Sequence, residues 1–191
     1  LWIYFPVFAE EPSTTSKLGK IKFPTSGSFE AQRHFTQGVA ALHSFWYKEA
    51  LAAFRRSTKV DPGFVMGYWG EAMAYNYPLW EDQDTKGAQK ALAKIKNTTG
   101  ITDRERAYLN AVQLLYGKGK KPSRDKAYAD AMAKIHREYP NDLEAACFYS
   151  LSLLGIARNS ADKLSKDYIE NKHFIYLNPI VASLEKWYNN E

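Results

Sequence analysis

His43 and Glu71 are the residues from which a metal or acid–base site in this sequence would have to be built. His34 and His43 stand nine positions apart, about half a turn round a helix, so one helix cannot offer both to a single ion. A metal would need His43 joined by Glu71, Asn76 or Glu81 from other elements. Imidazole with carboxylate suits zinc or copper, but no His-Glu-x-x-His pattern occurs. Glu71 lies between Gly70 and Ala72 in an otherwise apolar stretch, so if buried it must be paired or protonated. To act as a catalyst it would need a second acid or base, and Glu49 and Asp61 read equally well as helix-end and turn residues.

The remaining reactive groups read as structural. Cys147, the single cysteine, sits in Ala145-Ala146-Cys147-Phe148-Tyr149 with no activating base in the local pattern. It is expected to be a small buried hydrophobe, and alone it forms no intramolecular disulfide. His136 and His173 are isolated and expected to be exposed. Gly117-Lys118-Gly119 lacks the third glycine of a phosphate loop and follows a helix rather than a strand, and no nucleophile-elbow motif is present. Asn97-Thr98-Thr99 would accept a glycan only in a eukaryotic secretory route. No pattern calls for a cofactor, and none is expected.

Composition narrows the classes further. With 45% hydrophobic and 25% charged residues, the 191-residue chain can bury a core and is not expected to be disordered. Its net charge of +5 comes from 26 basic and 21 acidic residues interspersed along the chain, which does not imply nucleic-acid binding. Lys118, Lys120, Lys121, Arg124 and Lys126, set among Gly117, Gly119 and Pro122, read as a solvated interhelical loop. No stretch approaches the roughly 18 apolar residues of a membrane span. Residues 1–9 form an apolar stretch closed by Val7-Phe8-Ala9, which has the small-x-small logic of a signal-peptidase site. An exported protein, periplasmic or extracellular, is therefore expected, followed by a linker over residues 10–28 rich in Pro, Ser, Thr, Gly and Lys.

From Phe29 onwards apolar residues recur at three- and four-residue spacings, and strand-like alternation is nearly absent, so the expected class is all-α. Helices are predicted from Phe29 to His43, Tyr47 to Lys59, Phe64 to Tyr77 and Lys86 to Lys96. A fifth starts at the capping box Thr102-Asp103-Arg104-Glu105, a sixth is capped by Ser123 and ends at Tyr139-Pro140, and a seventh begins near Asp142. Pro62 and Pro78 close the second and third.

The helices also repeat. With Gly38 at the small-residue position of a tetratricopeptide unit, Ala50, Phe54 and Pro62 fall on its second-helix alanine, packing aromatic and terminating proline. About 34 residues further on, Tyr68, Ala72 and Tyr75 occupy the aromatic, small and aromatic positions of the next unit. Extra residues around Trp80 to Asp84 must be looped out before Ala88 and Leu92 fit, and Tyr128 and Met132 stand where alanine and an aromatic are wanted. His34 takes the place of the pattern's tryptophan, which reads as a packed, hydrogen-bonded core residue.

The run His34-Phe35 through Leu42-His43-Ser44-Phe45-Trp46-Tyr47, then Glu49-Ala50, Phe54, Asp61-Pro62, Tyr68-Trp69-Gly70-Glu71-Ala72-Met73 and Pro78-Leu79-Trp80, resembles a known pattern. It is similar to the N-terminal part of a largely uncharacterised family of exported bacterial tetratricopeptide-repeat proteins. The likeness weakens towards Arg158. It implies an α-solenoid of antiparallel helix pairs over residues 29–160 and no established enzymatic activity. Members of that family are longer, so residues 161–191 read as the start of a further repeat or as divergent C-terminal helices.

In such a solenoid the first helix of each pair lines the concave face. Phe35, Val39, Leu42 and His43 of the first unit and Met66, Trp69, Met73, Asn76 and Tyr77 of the second are expected to face it. Aromatic area with polar orienting groups suits a protein or peptide segment, and the same residues would equally form plain core if another element covered them. The expected function is a non-enzymatic binding scaffold, in self-association or a larger assembly if the apolar Trp187 and Tyr188 need covering. The alternative is a metal- or small-molecule-binding protein with a site around His43 and Glu71.

Overall fold

The computed structural model describes residue 18 and residues 21–80 and 82–161. The expected signal remnant, the first part of the linker, Glu81, His173, Trp187 and Tyr188 lie outside the described residues. Seven helices are present among the described residues: α1 Phe29–His43, α2 Tyr47–Val60, α3 Val65–Met73, α4 Thr85–Leu92, α5 Asp103–Leu115, α6 Lys121–Glu138 and α7 Leu143–Ala161. The class is all-α. Consecutive helices pack together, α1 on α2, α2 on α3, α3 on α4, α5 on α6 and α6 on α7. The odd-numbered helices also meet, α1 and α5 each touching α3. No described helix is long and apolar enough to cross a membrane.

Small residues let the first helices close on one another. A Cβ added to Gly38 of α1 would stand 2.6 Å from the Phe54 ring, and one added to Gly70 of α3 would stand 2.3 Å from the same ring. Phe54 of α2 is thus clamped between two helices whose backbones can approach only because neither position carries a side chain. Ala50 and Ala72 are fully buried beside it. Helix ends follow local chemistry: Thr102 and Glu105 form the reciprocal capping box of α5, and the Asp84 side chain accepts from the Gly87 amide at the start of α4.

Four expectations need correction. Helix α3 stops at Met73 rather than Tyr77, because Pro78 drives the preceding residue into extended backbone. Asn76–Tyr77 becomes a short strand β1, paired antiparallel with β2 (Asp82–Gln83) across a 3-10 turn at Pro78–Trp80. That hairpin falls on the stretch around Trp80 to Asp84 that the expected repeat had to loop out. Helix α4 ends at Leu92, short of Lys96. Helix α6 starts two residues before Ser123, with Pro122 in its first turn where a missing amide costs nothing, and without a side-chain cap. Residues 21–28 are also more than a linker, for Phe23 is buried at the centre of the core.

Candidate functional site

Phe23 enters a pocket built by three helices. Its ring centroid lies 5.2 Å from Phe35 of α1, 5.6 Å from Trp69 of α3 and 5.0 Å from Tyr108 of α5. The Arg104 guanidinium caps it, 4.3 Å from the ring centroid. Phe148 of α7 closes the other approach, edge-on to Trp69 at 5.4 Å. The expected groove residues Phe35, Met66, Trp69 and Met73 are therefore interior, as are Val39 and Leu42, each at most 6% exposed. They offer no open surface, because residues 21–28 and α7 cover the face on which they lie. The Trp69 indole N–H is buried there with no hydrogen-bond partner among the described residues.

His43 and Glu71 are each tied to other residues. The His43 Nε2 lies 2.5 Å from Glu144 Oε2 on α7, and its ring packs 5.0 Å from Phe148. Glu71 is 2% exposed and accepts from Arg55 Nε at 3.0 Å and Lys94 Nζ at 3.0 and 3.2 Å. A buried carboxylate held by cations from α2 and from the turn after α4 joins elements together, which is a structural use. No group of three or more His, Cys, Asp or Glu arranged to hold a metal exists among the described residues.

The other candidates also find packing roles. Asp142 Oδ2 receives Arg104 Nε at 2.6 Å and the Tyr108 hydroxyl at 2.9 Å, while its Oδ1 accepts from the Glu144 and Ala145 amides that open α7. Burial first, then Glu144 and Asp142, pushes the Cys147 thiol up to about 12, the opposite of what a nucleophile needs. His34 is half-buried, with Nδ1 3.4 Å from Gln37 Oε1 and Nε2 3.4 Å from Glu30 Oε1. His136 stacks on Tyr149 at 6.1 Å and is half-buried, not free in solvent as expected. Met73 and Asn76 border a cavity of about 30 Å³, room for a single water.

Tyr77 belongs to a different surface, which the helical pattern did not single out. It meets Tyr47 edge-on at 4.5 Å; Tyr47 in turn lies 6.0 Å from Trp80 and 6.4 Å from Phe45, and Phe45 lies 6.0 Å from Trp80. With Trp46, these rings gather where the α1–α2 turn meets the β1–β2 hairpin. Phe45, Trp46 and Trp80 remain 39%, 41% and 60% exposed. Phe45, Trp46, Tyr47, Lys48, Glu49 and Tyr77 line an open hollow of about 550 Å³.

The backbone is shaped for this surface at a cost. The Trp46 amide donates to Ala41 O and the Phe45 amide to Leu42 O, the Schellman ending of a helix, which places Phe45 at the left-handed position that glycine usually takes. Phe45 has φ 59°, the single positive-φ non-glycine among the described residues. The strain is of order 1–2 kcal/mol. The Tyr47 hydroxyl is buried in the cluster without a hydrogen-bond partner, and desolvation, then Tyr77, pushes its pKa up to about 12. Three consecutive aromatics at a helix–helix turn are the sequence signal for this surface, since a turn cannot direct all three inward.

Compared with models of known protein families, with curated proteins and with solved structures, the chain matches none.

Proposed function

We propose that this chain is a non-enzymatic scaffold, built on tetratricopeptide-like helix pairs, that binds a protein or peptide segment. The observation that carries this reading is the cluster of Phe45, Trp46, Tyr47, Tyr77 and Trp80, in which the Phe45, Trp46 and Trp80 rings stay exposed and Phe45 is held in strained left-handed backbone. Strain that persists where glycine would remove it favours a use for the side chain. Rigid aromatic area of this kind is how binding surfaces gain affinity at small entropic cost, and the open hollow suits an apolar or proline-bearing side chain of an extended segment. Lys48 and Glu49 at its edge supply both signs of charge for orientation. The buried carboxylates Glu71, Glu105, Asp142 and Glu144 each have partners that serve packing, which supports binding over catalysis. The apolar residues 1–9 support an exported location.

Panning a displayed peptide library against the immobilised full chain, beside a Trp46→Ala/Trp80→Ala variant of equal helix content, tests this. Peptides enriched on the native chain and bound about tenfold or more weakly by the variant are expected. Equal enrichment on both, or none on either, would overturn the assignment.

A further inference from the structure

Residues 21–28 form no helix or strand, yet their main chain is held along its length by side chains of three helices. Gln32 of α1 donates from Nε2 to Phe23 O at 2.9 Å and accepts from the Thr25 amide at 2.9 Å. Arg104 of α5 donates to Pro24 O at 3.2 Å, and Glu105 accepts from the Ser26 amide at 2.7 Å and the Ser26 hydroxyl at 2.9 Å. Asp61, closing α2, accepts from the Ser28 amide at 3.1 Å. Phe23 fills a deep pocket, Ile21 packs partly against the core and the Ser26 hydroxyl turns in to Glu105, while Lys22, Pro24 and Ser28 are exposed.

Backbone gripped by side-chain amides, carboxylates and a guanidinium, with one aromatic inserted, is how a preformed groove holds an extended peptide, not how helices pack. Its partners come from elements far away in sequence: Phe23 meets Trp69 and Tyr108, and Ser26 meets Glu105. We propose that the face between α1, α3 and α5 is a binding site for an extended peptide bearing Phe-Pro followed by a hydroxyl residue, and that Ile21–Ser28 occupies it in cis as the chain's own copy of that ligand. The site is separate from the Phe45–Trp80 surface and stands or falls independently of it. A partner peptide of this chemistry competes with the chain's own segment, so access to the groove is self-limited.

The probe is a free synthetic peptide of sequence IKFPTSGS, corresponding to residues 21–28. Full-length Phe23→Ala chain, its pocket emptied, is expected to bind that peptide one to one and to gain thermal stability. The peptide carrying Ala for Phe should not bind, and the native chain should bind at least about tenfold more weakly, because its own segment must first leave. If Phe23→Ala does not fold, the native chain answers the question: excess peptide should expose the Lys22–Phe23 bond to trypsin while the helices stay intact. No uptake by the variant and no exposure of that bond in the native chain would overturn the proposal. So would concentration-dependent dimerisation of the native chain that the free peptide cannot compete away, which would make a second copy the occupant.

Discussion

A Cβ built on Gly38 would stand 2.6 Å from the ring of Phe54, so the first two helices are as close as their backbones allow. Gly38→Ala is expected to destabilise by roughly 1–3 kcal/mol through overpacking, and Gly70→Ala by a similar amount, since both push on one buried ring. Gly63→Ala, whose Cβ would meet only an Asp61 oxygen at 3.5 Å, should stay within about 0.5 kcal/mol of the native chain. Urea denaturation of the three variants checks the order.

Phe45→Gly separates stability from binding. Glycine removes the left-handed strain at φ 59° and should hold or raise stability by a few tenths to about 1 kcal/mol, offset by the lost ring contacts with Trp80 and Tyr47. Capture of peptides on the aromatic surface should fall together with the ring. A variant that loses stability sharply would mean that Phe45 is simply a packing residue.

Asp142→Asn removes a charge that Arg104 and Tyr108 share and that helps to start α7. Arg104 is then left partly buried over Phe23 without its counter-ion, so a loss of about 2–4 kcal/mol is expected. Hydrogen exchange should show faster opening of α7 and of residues 21–28 in the same variant. Opening confined to α7 would show that Arg104 holds the Phe23 segment without Asp142.

Alkali should unfold the protein through its tyrosines. Desolvation raises the folded pKa of Tyr47 to about 12 and places Tyr108 and Tyr116 well above the ordinary value near 10. These raised groups contribute stability that is complete below about pH 10 and is lost as pH rises through the folded values, because the unfolded chain releases its protons first. Tyrosinate absorbance should therefore resolve a set titrating near pH 10 and a second set that ionises with the loss of helix. A single set titrating near pH 10 with the helices intact would contradict the burial of Tyr108 and Tyr116.

Cys147 should resist thiol reagents at neutral pH in the native state, its thiol being pushed up to about 12, and react fully once denatured. Fast native labelling would show that α7 leaves its place readily.

Much of this fold was legible. The start of α1 at Phe29, the α1–α2 turn and the Thr102–Glu105 capping box follow from periodicity and local hydrogen bonding, both short-range signals. Phe23 was not legible, because a lone aromatic among Pro, Ser, Thr and Gly carries no period, and its pocket is assembled from residues as distant as Tyr108. For the same reason the sequence could place Phe35, Met66, Trp69 and Met73 on one inward face but not say what covers that face. His43 and Glu71 were singled out by residue type, yet their partners Glu144, Arg55 and Lys94 lie on elements whose docking no local pattern encodes.

The seating of Phe23 also sets a timetable. During synthesis this residue leaves the ribosome 85 positions ahead of Tyr108, the last to be made of the three rings that meet it directly. At ordinary elongation rates it must wait roughly 5 to 15 seconds, long after α1 and α2 can pair. A segment that precedes all seven described helices thus cannot seat fully until α5 has been made, and its docking reports that α5 has arrived.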